Sequence, residues 1–201
     1  LMAFFIQGSS FLNPRAYAIL HSMHHTYSGT ATAPHSPHFF KDVWHMMHET
    51  KKLYGSYINH KKEPEEAFRG AYPEWPLVDK IGDLWIVRII FALAYTAFYV
   101  AYATNPFLYL LLPVQWFIGP VQGAIVNWCG HKYGYSNFDN NDQSKNTVPF
   151  DFFLLGELFQ NNHHKSPDSP NFAKRWFEFD PVFPVMLALN KLRVIKLRRT
   201  T

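Results

Sequence analysis

One cysteine, Cys129, is present in 201 residues, so no intramolecular disulfide framework can form. Charge is also scarce: Asp, Glu, Lys and Arg make up 17% of the chain, against 48% hydrophobic and 18% aromatic residues. The scarcity is uneven. No Lys or Arg falls between Arg88 and Lys132, and no Asp or Glu between Asp83 and Asp139, so residues 89–131 carry no formal charge apart from one available to His131. No flavin or nicotinamide fingerprint occurs, no low-complexity tract, and no internal repeat beyond two histidine-rich stretches. A mean hydropathy of -0.17 excludes a chain that is transmembrane throughout, so a polar portion must stand beside the apolar one. The net charge of +4 and pI near 9.1 could suit nucleic acid, but the basic residues flank the uncharged stretch. That placement directs them to a membrane surface, and no nucleic-acid partner is expected.

The uncharged stretch matches two passes through a bilayer, since each helical span needs about 20 apolar residues. We read residues 85–103 as the first span, Thr104, Asn105 and Pro106 as a break, and residues 107–125 as the return. Arg88 can extend its stem to the interface, and Pro113 and Pro120 are expected to kink the second helix. A buried hairpin in a soluble protein is the other reading of such a run. A membrane hairpin returns the chain to the side it left, and the positive-inside rule makes that side cytoplasmic. The expected fold is therefore all-α: an integral membrane helical protein with a cytosolic helical cap, forming one domain over residues 1–201.

The flanks complete this expectation. The chain begins at Leu1, inside the apolar run LMAFFIQGSSFL, which is too short to span and lacks the basic region of a signal peptide. We read it as the tail of a transmembrane helix and the sequence as an N-terminally truncated fragment. Val43, Trp44, Met47, Tyr54, Tyr57 and Ile58 recur at mostly helical spacing among lysines, as in a helix lying in the interface. KKEPEEAFRGAYPEWP is charged and broken by prolines, so it reads as a loop. Residues 185–197 are amphipathic, and Lys191, Arg193, Lys196, Arg198 and Arg199 cluster there, able to hold anionic headgroups.

Two stretches carry the chemistry. In HSMHH, His21, His24 and His25 stand at i, i+3 and i+4, so a helix points them in one direction; Gln160, His163 and His164 in QNNHH repeat the spacing. Asn127 and His131 form an i, i+4 pair at the end of the second span. Imidazole suits zinc, copper, iron or nickel. Six histidines (His21, His24, His25, His131, His163, His164) exceed what one tetrahedral zinc takes and point to a two-metal centre. The remaining histidines, His35, His38, His45, His48 and His60, read as solvated or interfacial, with His35 or His38 able to order the loop after the first stretch.

HSMHHTYS, NWCGHKYG, GELFQNNHHKSPDSPNFAKRWFEFDP and the approach QGSSFLNPRAYAILHSMHH resemble the membrane fatty acid desaturases, especially the acyl-CoA, delta-9 type of bacteria and animals. The resemblance covers nearly the whole chain. It implies two iron ions (Fe2+) beneath a cytosolic cap over four transmembrane helices. His21, His24 and His25 match the family's second histidine box, His163 and His164 the end of the third, His131 a further ligand, and Asn127 an asparagine that holds iron through water. Gln160 stands where many members have a histidine; an amide oxygen can coordinate weakly or hold a bound water. The family's first box, HxxxxH, is absent and no histidine precedes His21. Two ligands would then be missing, so these residues alone are expected to be inactive.

The implied reaction removes two hydrogens from adjacent methylenes of a long-chain acyl-CoA or acyl lipid, using O2 and two electrons, to leave a cis double bond. The electrons would come from a donor such as ferredoxin or cytochrome b5. Membrane lipid surrounds the spans, Trp116, Trp128 and Phe159 are candidates to line the acyl tunnel, and the expected location is the bacterial inner membrane with the boxes facing the cytoplasm. The alternatives are a fatty acyl or alkane hydroxylase with similar boxes, or a non-catalytic metal-binding membrane paralogue.

Overall fold

A computed structural model describes residues 12–70, 72 and 74–197. The run read as a helix tail (1–11) and the tail arginines Arg198 and Arg199 lie outside them. Among the described residues there are seven α-helices: α1 (Pro14–Tyr27), α2 (Val43–Ile58), α3 (Pro76–Gly82), α4 (Trp85–Tyr102), α5 (Leu111–Lys132), α6 (Gln160–Lys165) and α7 (Val182–Lys191). No strand occurs among them; isolated bridges pair Tyr135 with Asn146, Asn146 with Phe159, and Phe150 with Phe179. The chain divides into two compact units, one made of the residues up to Met23 with His48–Gly123, the other of His24–Met47 with Ala124 onward.

In the first unit, α1 begins at a cap written in the sequence Asn13-Pro14. The Asn13 carboxamide oxygen accepts from the Ala16 amide at 2.9 Å, and Pro14 occupies the first turn, where its missing N–H costs nothing. Ala16, Ile19, Leu20 and Met23 recur at i, i+3, i+4 and i+7 and are buried. Burial of the larger three stabilises the helix by about 1.5–3 kcal/mol each. Arg15 is buried too, and its guanidinium donates to the Tyr57 carbonyl at 2.6 Å, to Glu74 at 2.7 Å and to Glu63 at 3.3 Å. Among its described residues, the loop 61–76, read as broken by prolines, holds a single 3-10 turn, Glu66–Phe68.

The helices α4 and Pro106–Lys132 are long and apolar enough to cross a membrane. None of the α4 side chains is buried. The turn before α5 is capped by Asn105, whose side chain accepts from Phe107 N at 2.9 Å. The return helix runs to Lys132 and not to Ile125, carrying His131 with it. Pro113 falls in the first turn, where a proline removes no bond; Pro120 lies inside the helix.

The second unit buries more polar than apolar side chains. Ala33, Met46, Leu154, Leu158 and Phe159 are its apolar core, beside His24, His131, Asp142, Asn146, Asp151, Asn161, Asn162, Glu178 and Asp180. Its carboxylates organise loops. Asp151 accepts from the amides of Leu154, Gly156 and Leu158, and Asp180 accepts from Phe172, Val182 and Phe183. Asp180 thereby starts α7 at Val182, and Arg193 at φ 60 turns the chain away after Lys191. The amphipathic helix expected over 185–197 is thus shorter and begins earlier.

Candidate metal centre

Three helix segments of the second unit bring imidazoles together: the end of α1, the end of α5, and α6. His24 Nε2 lies 3.0 Å from His131 Nε2 and 3.2 Å from His164 Nε2. The three ring nitrogens lie within 4.8 Å of one another. A second meeting point lies beside the first, where His25 Nε2 and His163 Nε2 stand 2.9 Å apart. The neighbours in each histidine pair diverge because consecutive helical residues are turned by about 100°. His24 and His164 go to one point, His25 and His163 to the other. His21 lies one turn before His25 on α1, with its ring stacked on Tyr17 at 5.5 Å, and Asn127 lies one turn before His131 on α5.

These donors fit a metal. Ring nitrogens bound to one first-row ion at about 2.0–2.1 Å stand roughly 2.8–3.4 Å apart at cis or tetrahedral angles, and the distances around His24 fall in that range. Burial, reinforced by His35, His131, His164 and His25, holds the His24 imidazole well below its ordinary pKa. At neutral pH it keeps the lone pair that coordination requires.

Each candidate ligand has its own backing. The His164 Nδ1 meets the carboxylate of Asp142, and His24 stacks on His35 with ring centroids 4.5 Å apart. Gln160 lies against the end of α5 that carries His131, and its Nε2 donates to the Glu157 carbonyl at 2.7 Å. His35 is therefore a buried packing partner and not a solvated side chain. His38 Nε2 reaches the His131 carbonyl at 2.8 Å, so it does order the loop after HSMHH. His45 and His48 lie on α2, and His60 follows its end, 63% exposed in its side chain.

The box helix α6 has only six residues, too few to stand alone, so its surroundings hold it. Asn161 accepts from the amides of Asn137 and Phe138 and donates to the Phe138 carbonyl. Asn162 accepts from the side chains of Asn137 and Asn146 and donates to the Phe172 carbonyl and to Glu178. Glu178 gathers Tyr135 OH, Asn137 Nδ2 and the amides of Lys174 and Arg175. Burial pushes the Glu178 carboxyl up, but these donors outweigh it and hold the group below the ordinary range. For Asp142 the same contest between burial and the bonds from His164 and Ser144 leaves the carboxyl at about 2.

Sequence reasoning missed these supports. The asparagines between Gln160 and His163 were the available signal, being polar residues on a helix whose whole purpose requires burial. Gly130 was another: a Cβ there would stand 2.5 Å from Gln160 Cγ. Of the expected tunnel aromatics, Phe159 is fully buried, Trp128 carries Lys132 Nζ over its ring at 4.2 Å, and Trp116 belongs to the other unit. A cavity of about 470 Å³ opens beside His25 and His164, lined by Asp139, Asn140, Asn141 and Asp142 and by none of those aromatics.

The family model for fatty acid desaturase matches residues 1–199. The chain belongs to this family. Among its relatives, the chain is 23% identical to the hex-5-enoyl-[acyl-carrier protein] acetylenase of Moorena producens, over 90% of this chain and 59% of that protein. It is 26% identical to Delta-9 desaturase-like 5 protein of Arabidopsis thaliana, over 88% and 56%. It is 25% identical to the sn-1 stearoyl-lipid 9-desaturase of Synechocystis, over 88% and 53%. The chain thus spans little more than half the length of these curated relatives. No solved structure matches it. As a member of the desaturase family, the chain places its two histidine boxes at the end of α1 and on α6, with His131 at the end of α5.

Proposed function

We propose that the full-length protein uses O2 and two electrons to introduce a cis double bond into a long-chain fatty acyl group. The observation that carries this reading is the meeting of the two box pairs and His131 at two adjacent points, in a chain of the desaturase family. His24, His131 and His164 would hold one iron, and His21, His25 and His163 the other, with Asn127 acting through water. Iron bound there would activate O2, the oxidant, to break an unactivated C–H bond, which no side chain can do unaided. The chain's own part is to present neutral imidazoles, to keep them buried, and to fix their tautomers. Gln160 acts in this reading through His131, since its amide nitrogen is already engaged by Glu157.

Residues 85–102 and 106–132 would cross the bacterial inner membrane, with the boxes on the cytoplasmic side. The absence of any buried α4 side chain supports a lipid setting for that helix. Trp116, Trp128 and Phe159 remain candidates for the acyl path. Coenzyme A is the expected carrier, while the relatives' names speak of an acyl-carrier protein and of a lipid ester. Electrons would come from a ferredoxin or cytochrome b5. The test is to express the full-length protein in a desaturase-deficient bacterium and analyse fatty acid methyl esters by mass spectrometry. An oxygen-dependent monounsaturated product, lost in His131→Ala and His164→Ala, supports the proposal. A hydroxylated product assigns a hydroxylase, and bound metal without oxygen-dependent product assigns a non-catalytic metal binder. Supplying the acyl chain on each carrier in vitro identifies the substrate.

A further inference from the structure

We infer that Asp142 is a positioning residue that holds His164 in the tautomer and orientation needed to bind metal with His24 and His131. The inference rests on reading these three histidines as ligands. The two oxygens of the Asp142 carboxylate have separate duties. Oδ1 accepts from the Ser144 amide at 3.0 Å and the Ser144 hydroxyl at 2.6 Å, which fixes the loop. Oδ2 meets His164 Nδ1. A proton held on Nδ1 leaves the lone pair on Nε2, the atom that faces His24 Nε2 at 3.2 Å.

The loop that carries Asp142 is joined to the helix that carries His164. Asn140 Nδ2 donates to the Asn161 carbonyl at 2.7 Å, Asn161 Oδ1 accepts from the amides of Asn137 and Phe138, and Asn161 Nδ2 returns a bond to the Phe138 carbonyl at 2.9 Å. The carboxylate therefore cannot drift away from the ring without breaking several bonds. His24 is backed by the His35 ring, and Gln160 lies beside the end of α5 that carries His131. Among the described residues, His164 is the one of the three whose ring is hydrogen-bonded by a carboxylate, and an anionic acceptor makes an imidazole a stronger donor to metal. Nothing in the spacing of the boxes indicates this, because Asp142 lies in the stretch NFDNNDQSKN between them.

The test uses the full-length protein loaded with iron and challenged with a chelator, reading iron per chain and the rate of iron loss. Asp142→Ala is expected to weaken iron retention by about 10–100-fold, read as faster iron loss and fewer irons per chain than in the parent, which keeps two. Asp142→Asn, which keeps the shape and an acceptor, should retain iron at an intermediate level. Ser144→Ala removes only loop bonds and should retain iron like the parent. Parent-like retention in both Asp142 variants, or equal loss in Ser144→Ala and Asp142→Ala, overturns the positioning role. If His24→Ala and His164→Ala also retain two irons, the ligand reading itself fails, which separates the two failures. Asp142→Asn is nearly isosteric, so its folding, checked by thermal unfolding, keeps the comparison valid should Asp142→Ala not fold.

Discussion

A methyl group at position 130 would stand 2.5 Å from Cγ and 3.3 Å from Cβ of Gln160, so the glycine sets how closely the box helix approaches the end of α5. Gly130→Ala is expected to cost about 1–3 kcal/mol through overpacking. It should also lower iron retention, since Gln160, His163 and His164 share one short helix; thermal unfolding and metal analysis of the same sample check both effects. At this scale the histidines were legible because their spacing is local: i, i+3, i+4 is visible without knowing the fold. Gly130 and Asp142 were not. Their importance comes from contacts with residues Gln160 and His164, well removed in sequence, and no local pattern marks such a contact. Glycine at 134 is similar, with φ +122 and an added Cβ only 2.1 Å from the Asn146 carbonyl oxygen, at the bridge that ties Tyr135 to Asn146.

Among the elements, α6 owes its existence to its neighbours, and Glu178 is the hub of that support. The sign of its pH dependence follows from a carboxyl held below its ordinary value. The stabilisation is complete above about pH 4.5, the ordinary value, and is lost as the pH falls below it. Urea midpoints measured from pH 6 downward should therefore fall through this region in the parent protein. Glu178→Gln should lower the midpoint at pH 6 and flatten the slope; an unchanged slope would remove Glu178 from the acid response. The helices α2, α4 and α5 were easy to read, since each carries a sustained apolar pattern, while α1 was marked only by its histidine spacing. The last helix was read too far because Val194 and Leu197 continue the pattern, while the backbone reversal at Arg193 ends it. Periodicity records which residues would share a face, not where an aspartate such as Asp180 starts the turn.

Across the whole molecule, the uncharged stretch between Arg88 and Lys132 predicts how the protein partitions. The full-length protein should remain in the membrane pellet after an alkaline carbonate wash and leave it only with detergent. Release by carbonate would return α4 and α5 to the reading of a soluble hairpin. The presence of two long apolar helices beside a polar, histidine-bearing portion was legible from charge placement alone. The division into two compact units, with α1 contributing to both, was not, because it depends on contacts far apart in the chain. The divergence of neighbouring histidines has a further consequence. His24 with His164, and His25 with His163, make each box a two-tined fork, with one tine in each candidate metal position. An ion seated in the first position would fix both forks and deliver the remaining tines already opposed, so the ordering entropy would be met once for two binding events. Equilibrium titration of the metal-free protein with Fe2+ should then give a Hill coefficient above 1, and His24→Ala should weaken the position it does not touch. The two irons would enter as one cooperative load, leaving little of the half-filled enzyme at any point of the titration.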